Sequence, residues 1–200
     1  MTMKIKKKVL SVLQEAWIDG GLIEVKRERF GASEKGFVID ISGEWLLMHV
    51  LDGDFLQFNG YGAVRLRDIT KVEKNTDWVT RARGRLGLEP VLLPDVLLVD
   101  LPGLLSSVNA HFPVLGIERD AAVPQTLHVG RIQKLREKSV TLRELGAQAE
   151  WVVSEIRYPL REITCVSFGT TYMGLLLEFA RIQEAEAALE SDESENQDIS

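Results

Sequence analysis

Two seven-residue segments of this chain read almost alike, and their spacing restricts the fold more than any other feature. Leu66-Arg67-Asp68-Ile69-Thr70-Lys71-Val72 stands against Leu160-Arg161-Glu162-Ile163-Thr164-Cys165-Val166, with five of seven residues identical and a separation of 94. At the same separation Ile23-Glu24 meets Ile117-Glu118, Ala16 meets Ala110, and Trp78 meets Tyr172. Matches that recur in one register read as a tandem duplication of one folding unit.

Periodicity within each half agrees. In the first, Ile5, Val9, Val12/Leu13 and Ala16/Trp17 form a helical stripe that stops at Asp19-Gly20-Gly21. Short β-favouring runs follow at 22–27, 37–41, 45–51, 55–58 and 63–72, separated by turn residues at Gly31, Ser42-Gly43, Asp52-Gly53 and Asn59-Gly60. Asp52-Gly53 between apolar runs predicts a tight hairpin, because glycine tolerates positive φ. A helix capped by Thr76 is expected over 77–86. In the second half Asp100 caps a predicted helix over 102–111, with strands expected at 114–118, 126–134, 139–144, 151–158 and 163–168. A last helix, starting near Thr170/Thr171, puts Tyr172, Leu175, Leu176, Phe179 and Ile182 on one face and is expected to fray near Glu190.

The predicted fold is mainly β with flanking helices (α+β), as two tandem five-stranded small barrels packed together. Closing five short strands into a barrel removes exposed edges. The boundaries are 1–90 for the first helix-plus-barrel unit, 91–188 for the second, and 189–200 for an acidic disordered tail. The connection 86–101 is apolar on both faces at Val91-Leu92-Leu93 and Val96-Leu97-Leu98-Val99, so it is expected to be buried between the units.

Trp45-Leu46-Leu47, Arg65-Leu66-Arg67-Asp68-Ile69 and Val72 resemble small SH3-like barrels of the Sm-like type, and among these WYL-type sensor domains. Leu160-Arg161-Glu162-Ile163 and Val166 carry the likeness into the second half. The resemblance implies ligand sensing or nucleic-acid binding. Leu46 stands at that family's signature tyrosine, the second half lacks the Trp-Tyr-Leu element, and neither a helix-turn-helix nor the RNA-contacting motifs of Sm proteins are present.

Charge is distributed unevenly. The net −6 lies entirely in residues 181–200, which hold Arg181 against seven acids, so the body is balanced and carries no global field toward nucleic acid. The apolar run Val9–Leu13 behind the N-terminal lysines is too short for a secretory signal, and Val91–Leu105 is broken by Pro94, Asp95, Asp100 and Pro102, so no membrane segment is expected. With Cys165 as the single cysteine, no internal disulfide can form, and a reducing, cytoplasmic location is expected.

No catalytic constellation, cofactor loop or metal set is legible. His49, His111 and His128 are far apart, whereas a zinc site needs about four convergent ligands. Asp52 and Asp54, with Asp40 and Glu44 nearby, read as a polar hairpin tip in preference to a cation site. Asn59-Gly60-Tyr61-Gly62 lacks the Gly-Lys-Ser/Thr of a phosphate loop and reads as a turn, and Ser106 and Ser107 lack a nucleophile-elbow context. Cys165 aligns with the ordinarily solvated Lys71; it either faces outward as a reactive thiol or, as expected, lies under the C-terminal helix.

Two basic clusters are candidate anion- or partner-binding residues: Lys4, Lys6, Lys7 and Lys8 at the start of the first helix, and Arg81 with Arg85 on one face of the second. The acidic tail either neutralises the N-terminal lysines and competes with an anionic partner or, as expected, only solubilises the chain. The function that follows is a non-catalytic binding or regulatory protein whose duplicated barrels, or the groove between them, take a protein partner or small ligand. The alternatives are a nucleic-acid-binding Sm-like protein and a toxin-neutralising or antagonist protein using its acidic tail.

Overall fold

A computed structural model describes residues 7–52, 57–75, 78, 85–87, 89–93 and 95–197, with side chains through Leu189. The first half runs α1 (Lys7–Asp19), β1 (Leu22–Arg27), β2 (Ala32–Ser42), β3 (Trp45–Asp52), β4 (Gln57–Arg65), a 3-10 turn (Leu66–Asp68) and β5 (Lys71–Lys74). The second runs α2 (Leu101–His111), β6 (Leu115–Arg119), β7 (Val123–Arg136), β8 (Ser139–Leu145), β9 (Trp151–Pro159), a 3-10 turn (Leu160–Glu162) and β10 (Cys165–Phe168), followed by α3 (Thr171–Gln197). Asp100 caps α2 as its sequence predicts, accepting from the Gly103 N–H at 2.7 Å. Of the helix expected over 77–86, only Trp78, Arg85 and Leu86 lie within the described residues.

All ten strands join one open antiparallel sheet in the order β5-β1-β2-β3-β4-β10-β6-β7-β8-β9. The expected closed barrels are therefore corrected. The edge of β4 that would close on β5 pairs instead with β10, from Val64 opposite Cys165 to Tyr61 opposite Phe168. The outer edges are protected by charge. Lys71, Glu73 and Lys74 line β5, while Glu155, Arg157 and Pro159 lie on β9, and such residues discourage further strand addition.

The two halves follow the same strand order, and their irregularities coincide. A bulge between Val38 and Asp40 in the β2·β3 ladder matches one between Ile132 and Lys134 in β7·β8. Another between His49 and Leu51 in β3·β4 matches one between Arg143 and Leu145 in β8·β9. Gly36 and Gly130 each lie so close to the facing carbonyl, of His49 and of Arg143, that an added Cβ would sit 2.4 and 2.5 Å from its oxygen. The register at 94 fails in the leading helix and first strand of each half: buried Val9, Leu13 and Ala16 of α1 correspond to Leu101, Leu105 and Val108 of α2, at 92, and Ala110 is exposed. Ile23 lies opposite Gly36 and Lys74, while Leu115 lies opposite Gly130 and Phe168, so β1 and β6 correspond at 92. The sequence match of Ile23-Glu24 with Ile117-Glu118 is thus two residues out of structural register, because the second half has two more residues between equivalent strand positions, Arg119 to Thr126 against Arg27 to Ala32.

Trp45-Leu46-Leu47-Met48 is a continuous apolar run because β3 is covered on both faces. Leu46 and Met48 face Val9, Leu13 and Ala16 of α1 in one core cluster. Trp45 and Leu47 face a larger core shared by both halves, with Leu104, Leu105 and Val108 of α2 and Ile117, Val166 and Phe168. The connection contributes less than its composition predicts: Val96 and Leu98 enter this core, but Val91, Leu92, Leu97 and Val99 are exposed. The β4·β10 ladder, which already buries the junction, leaves them no interior to occupy.

Two further expectations change. The backbone of α3 is helical to Gln197, past the fray expected at Glu190, since Ala, Leu and Glu between 184 and 195 favour helix despite their charge. Asn59–Gly62 is no turn; it lies within β4 at the junction, where Gly60 has φ +70°. An added Cβ there would sit 2.5 Å from the Phe168 carbonyl oxygen. Gly60→Ala is expected to destabilise the protein by roughly 2 kcal/mol or more, checked by urea denaturation, because both the conformation and the space exclude a side chain.

Candidate functional site

The turns that follow β1 and β4 and their second-half counterparts meet where the halves join, and they bring charge into the interior. Arg27, at the end of β1, is 2% exposed. Its guanidinium donates to Asp120 Oδ2 at 2.6 Å and to Glu118 Oε2 at 3.0 Å, with Glu34 Oε1 at 3.9 Å. Thr164 donates its hydroxyl proton to Asp120 Oδ2 at 2.5 Å. Burial works against the Arg27 charge, and the surrounding Cys165, Glu34 and Glu118 more than offset it. Burial pushes the Glu34 carboxyl up, against the pull of Arg27.

Cys165 lies in this cluster. It is buried, and its thiol donates to Glu34 Oε1 at 3.8 Å. It is covered by the neighbouring strands and the α1-side core, and the C-terminal helix is not part of that cluster. Lys71, its counterpart, sits on an edge strand with one neighbour, whereas β10 has strands on both sides. Burial, with Glu34 and Glu118 adding to it, pushes the thiol well up, the opposite of an activated nucleophile. Glu34, Glu118 and Cys165 hold three ligand atoms within 4.8 Å of one another, but the Arg27 guanidinium already places a positive charge against both carboxylates.

Beside the cluster opens a cleft of about 420 Å³. Arg65 and Arg67 reach it from the first half, Arg161 and Thr164 from the second, and Arg29 and Phe30 from the turn after β1. Arg65 is 6% exposed; Nη1 donates to the Arg161 carbonyl and Nη2 to that of Leu160, both at 2.8 Å, while its Nε has no partner. Asp68 Oδ2 is likewise buried without a partner. Burial, and then Arg67 beside it, push the Arg65 guanidinium down; burial pushes the Asp68 carboxyl up against the pull of Arg67 and Arg65. Phe30 lies under Arg29, whose guanidinium carbon is 5.4 Å from the ring centre. Four arginines thus outnumber the two acids of the cleft, Asp68 and Glu162. The arrangement suits a small anion.

The second half carries a polar cluster at the corresponding place near the free edge. Arg119, the counterpart of Arg27, pairs with Glu162 at 3.0 Å and lies 4.7 Å from the Tyr158 ring centre. Tyr158 donates to Glu144, and His128 Nδ1 lies 3.1 Å from both the Tyr158 oxygen and Glu144 Oε1. Burial and the Glu144 hydrogen bond push the Tyr158 phenol up.

The residues singled out in the sequence fall elsewhere. Lys7 and Lys8 are exposed at the start of α1, and Arg85 is exposed, all away from the cleft's lining; Lys4, Lys6, Arg81 and Asp54 lie outside the described residues. His49 is buried and His111 exposed. Ser107 accepts from the Leu97 N–H, a structural role. Arg67 and Arg161 lie within the repeated seven residues, at equivalent turns on the cleft wall. Arg29, Phe30 and Arg65 had no such mark. Comparison of the chain with protein-family models, curated proteins and solved structures finds no match.

Proposed function

We propose that this is a non-catalytic binding protein made of two copies of one Sm-like or SH3-like unit, and that its ligand is a small molecule bearing a phosphate or comparable anion, held in the cleft between the units. The duplication is supported by the shared strand order, the matching bulges and the two equivalent 3-10 turns. Ile69 and Ile163 each donate from N–H to the carbonyl of the leucine three residues before, both at 3.2 Å. The helix-plus-five-strands order in each half supports the Sm-like resemblance.

The observation that carries the ligand reading is Arg65. A buried guanidinium with an unmet N–H at the wall of an arginine-lined cleft is costly unless something completes it. The cleft's size lies within the range of small-ligand sites. Asp68, equally unpartnered, adds an acceptor for a hydroxyl or amine on the same ligand.

Calorimetric titration of the full chain with pyrophosphate and with a nucleoside monophosphate tests this. Arg67→Gln and Arg161→Gln, at turn positions on the cleft wall, are each expected to weaken binding roughly tenfold or more, as loss of a charge-assisted hydrogen bond does. No binding of any such anion, or binding indifferent to both substitutions, would defeat the proposal. Tight binding of an oligonucleotide that falls steeply with salt would favour the nucleic-acid reading instead.

A further inference from the structure

The two free edges of the sheet are the counterparts of the two edges that meet at its centre. In the order β5-β1-β2-β3-β4-β10-β6-β7-β8-β9 the second five strands repeat the first, so β10 corresponds to β5 and β9 to β4. The β4·β10 ladder thus joins the last strand of one unit to the first of the next, and β9 and β5 keep the same two surfaces unpaired. Carried over by 94 residues, the register of that ladder sets Tyr158 opposite Lys71, Arg157 opposite Val72, Ile156 opposite Glu73 and Glu155 opposite Lys74. No like charges stand opposite each other. The joined edge also shows what the free one lacks. Cys165, arriving on β10, lies opposite Val64 and 3.8 Å from Glu34. In the second unit the places of Val64 and Glu34 are taken by Tyr158 and His128, and both converge on Glu144, which stands where the first unit has Val50. Glu144 is largely buried, and among the described residues its ion-pair partner is His128 alone. His128 Nε2 is buried without a partner. Three positions that are apolar at the joined edge, Val50, Val64 and Cys165, therefore become Glu144, Tyr158 and Lys71 at the free ones. A largely buried carboxylate calls for a cation, and Lys71 is the cation this register brings. Arg119, the other cation beside Tyr158, is already matched by Glu162 at 3.0 Å.

We propose that copies of this chain join head to tail, β9 of one pairing with β5 of the next, and that Lys71 of the incoming copy enters the Tyr158, His128 and Glu144 cluster. The charges that discourage an arbitrary strand at these edges match one another, which selects a second copy over other strands. Lys71 is exposed, and its present partner, Glu73, also pairs with Lys26, so Lys71 can turn away without stranding that carboxylate. Pro159, which has no N–H, stands where Arg65 donates its backbone N–H to the Thr164 carbonyl. The junction between copies is thus one hydrogen bond shorter than the junction within the chain, and it forms and breaks with concentration. Pairing of two different edges propagates into a ring or an open chain. The inference rests on the duplication of one unit and not on the ligand proposed for the cleft.

Sedimentation velocity of the full chain across the micromolar range is expected to show species of two or more copies. Lys71→Glu, at an exposed position of an edge strand, should weaken association at least ~100-fold, because it sets a carboxylate against Glu144. Glu144→Gln, which keeps an acceptor for the Tyr158 hydroxyl, should weaken it about tenfold. Direction and register are read by oxidising added cysteines, since Cys165 is buried. Chains carrying Lys74→Cys and Glu155→Cys should cross-link when mixed, and neither should cross-link to itself. None of these residues lines the cleft, so anion binding is read separately from assembly. A chain monomeric throughout that range, assembly indifferent to Lys71→Glu, or either cysteine variant cross-linking to itself overturns the proposal.

Discussion

Replacing Arg27 with alanine is expected to cost about 3–5 kcal/mol of folding stability, read as a drop in the urea midpoint at unchanged slope. Asp120, 4% exposed, would lose its guanidinium partner at 2.6 Å while keeping only Thr164, and Glu118 would lose its own at 3.0 Å. The penalty comes from stranding the Asp120 carboxylate where water cannot solvate it, more than from the pair's net attraction. A second variant separates these terms. Arg27→Met with Asp120→Leu removes the closest pair and fills similar volume, and it should recover part of the lost stability, the remainder being the loss of the cation beside Glu118 and Glu34. The pair also joins the halves, since Arg27 ends β1 and Asp120 follows β6. A single alanine variant within 1 kcal/mol of the parent would mean that the junction rests on its apolar contacts, the β4·β10 ladder and Arg65 without the ion pair.

Lowering the pH from neutrality is expected to remove about 3 kcal/mol of stability through His49 alone. Burial pulls its pKa down from 6.5 to about 4. The ring is stacked between Phe58 at 3.8 Å and Tyr61 at 4.4 Å, and its Nδ1 accepts the Val91 N–H at 3.1 Å, so the neutral tautomer is the one that fits. Between these two values the unfolded chain binds a proton that the folded protein refuses. Stability therefore falls as pH drops through 6.5, and this contribution stops falling below about 4. Carboxylates contribute to acid unfolding in the same region, so the measurement is a difference. His49→Gln keeps an acceptor without titrating, and its stability curve should be flatter between pH 6.5 and 4 than the parent's. Parallel curves would show that the ring is protonated in place without penalty.

Much of the architecture was legible because local chemistry dictates it. The alternating apolar runs mark most strands, Asp100 before Leu101-Pro102 caps its helix, and Leu66–Asp68 repeats as Leu160–Glu162 at both turns. The clearest misreadings share one cause. Cys165 is buried as expected, but neighbouring strands cover it in place of the C-terminal helix, because β10 lies in the middle of the sheet whereas β5, with Lys71 at the same position, ends it. Asn59–Gly62 has turn composition, but Gly60 serves the close approach of β4 to Phe168 and Gly169, and Gly62 lies against Glu34 and Val50. Neither fact can be read from spacing, since each depends on which strand comes alongside.

The candidate site divides the same way. The sequence by itself determined most of the strands, the Asp100 cap and a matched arginine at two equivalent turns, all of which follow from propensity and pattern within a few residues. Only the tertiary structure decided that β4 pairs with β10, opening the sheet instead of closing two barrels and drawing Arg27 onto Asp120 and Arg65 onto the Leu160 and Arg161 carbonyls. Those partners lie about ninety residues apart along the chain, and no local pattern encodes a contact that exists only once two separately legible halves share one ladder.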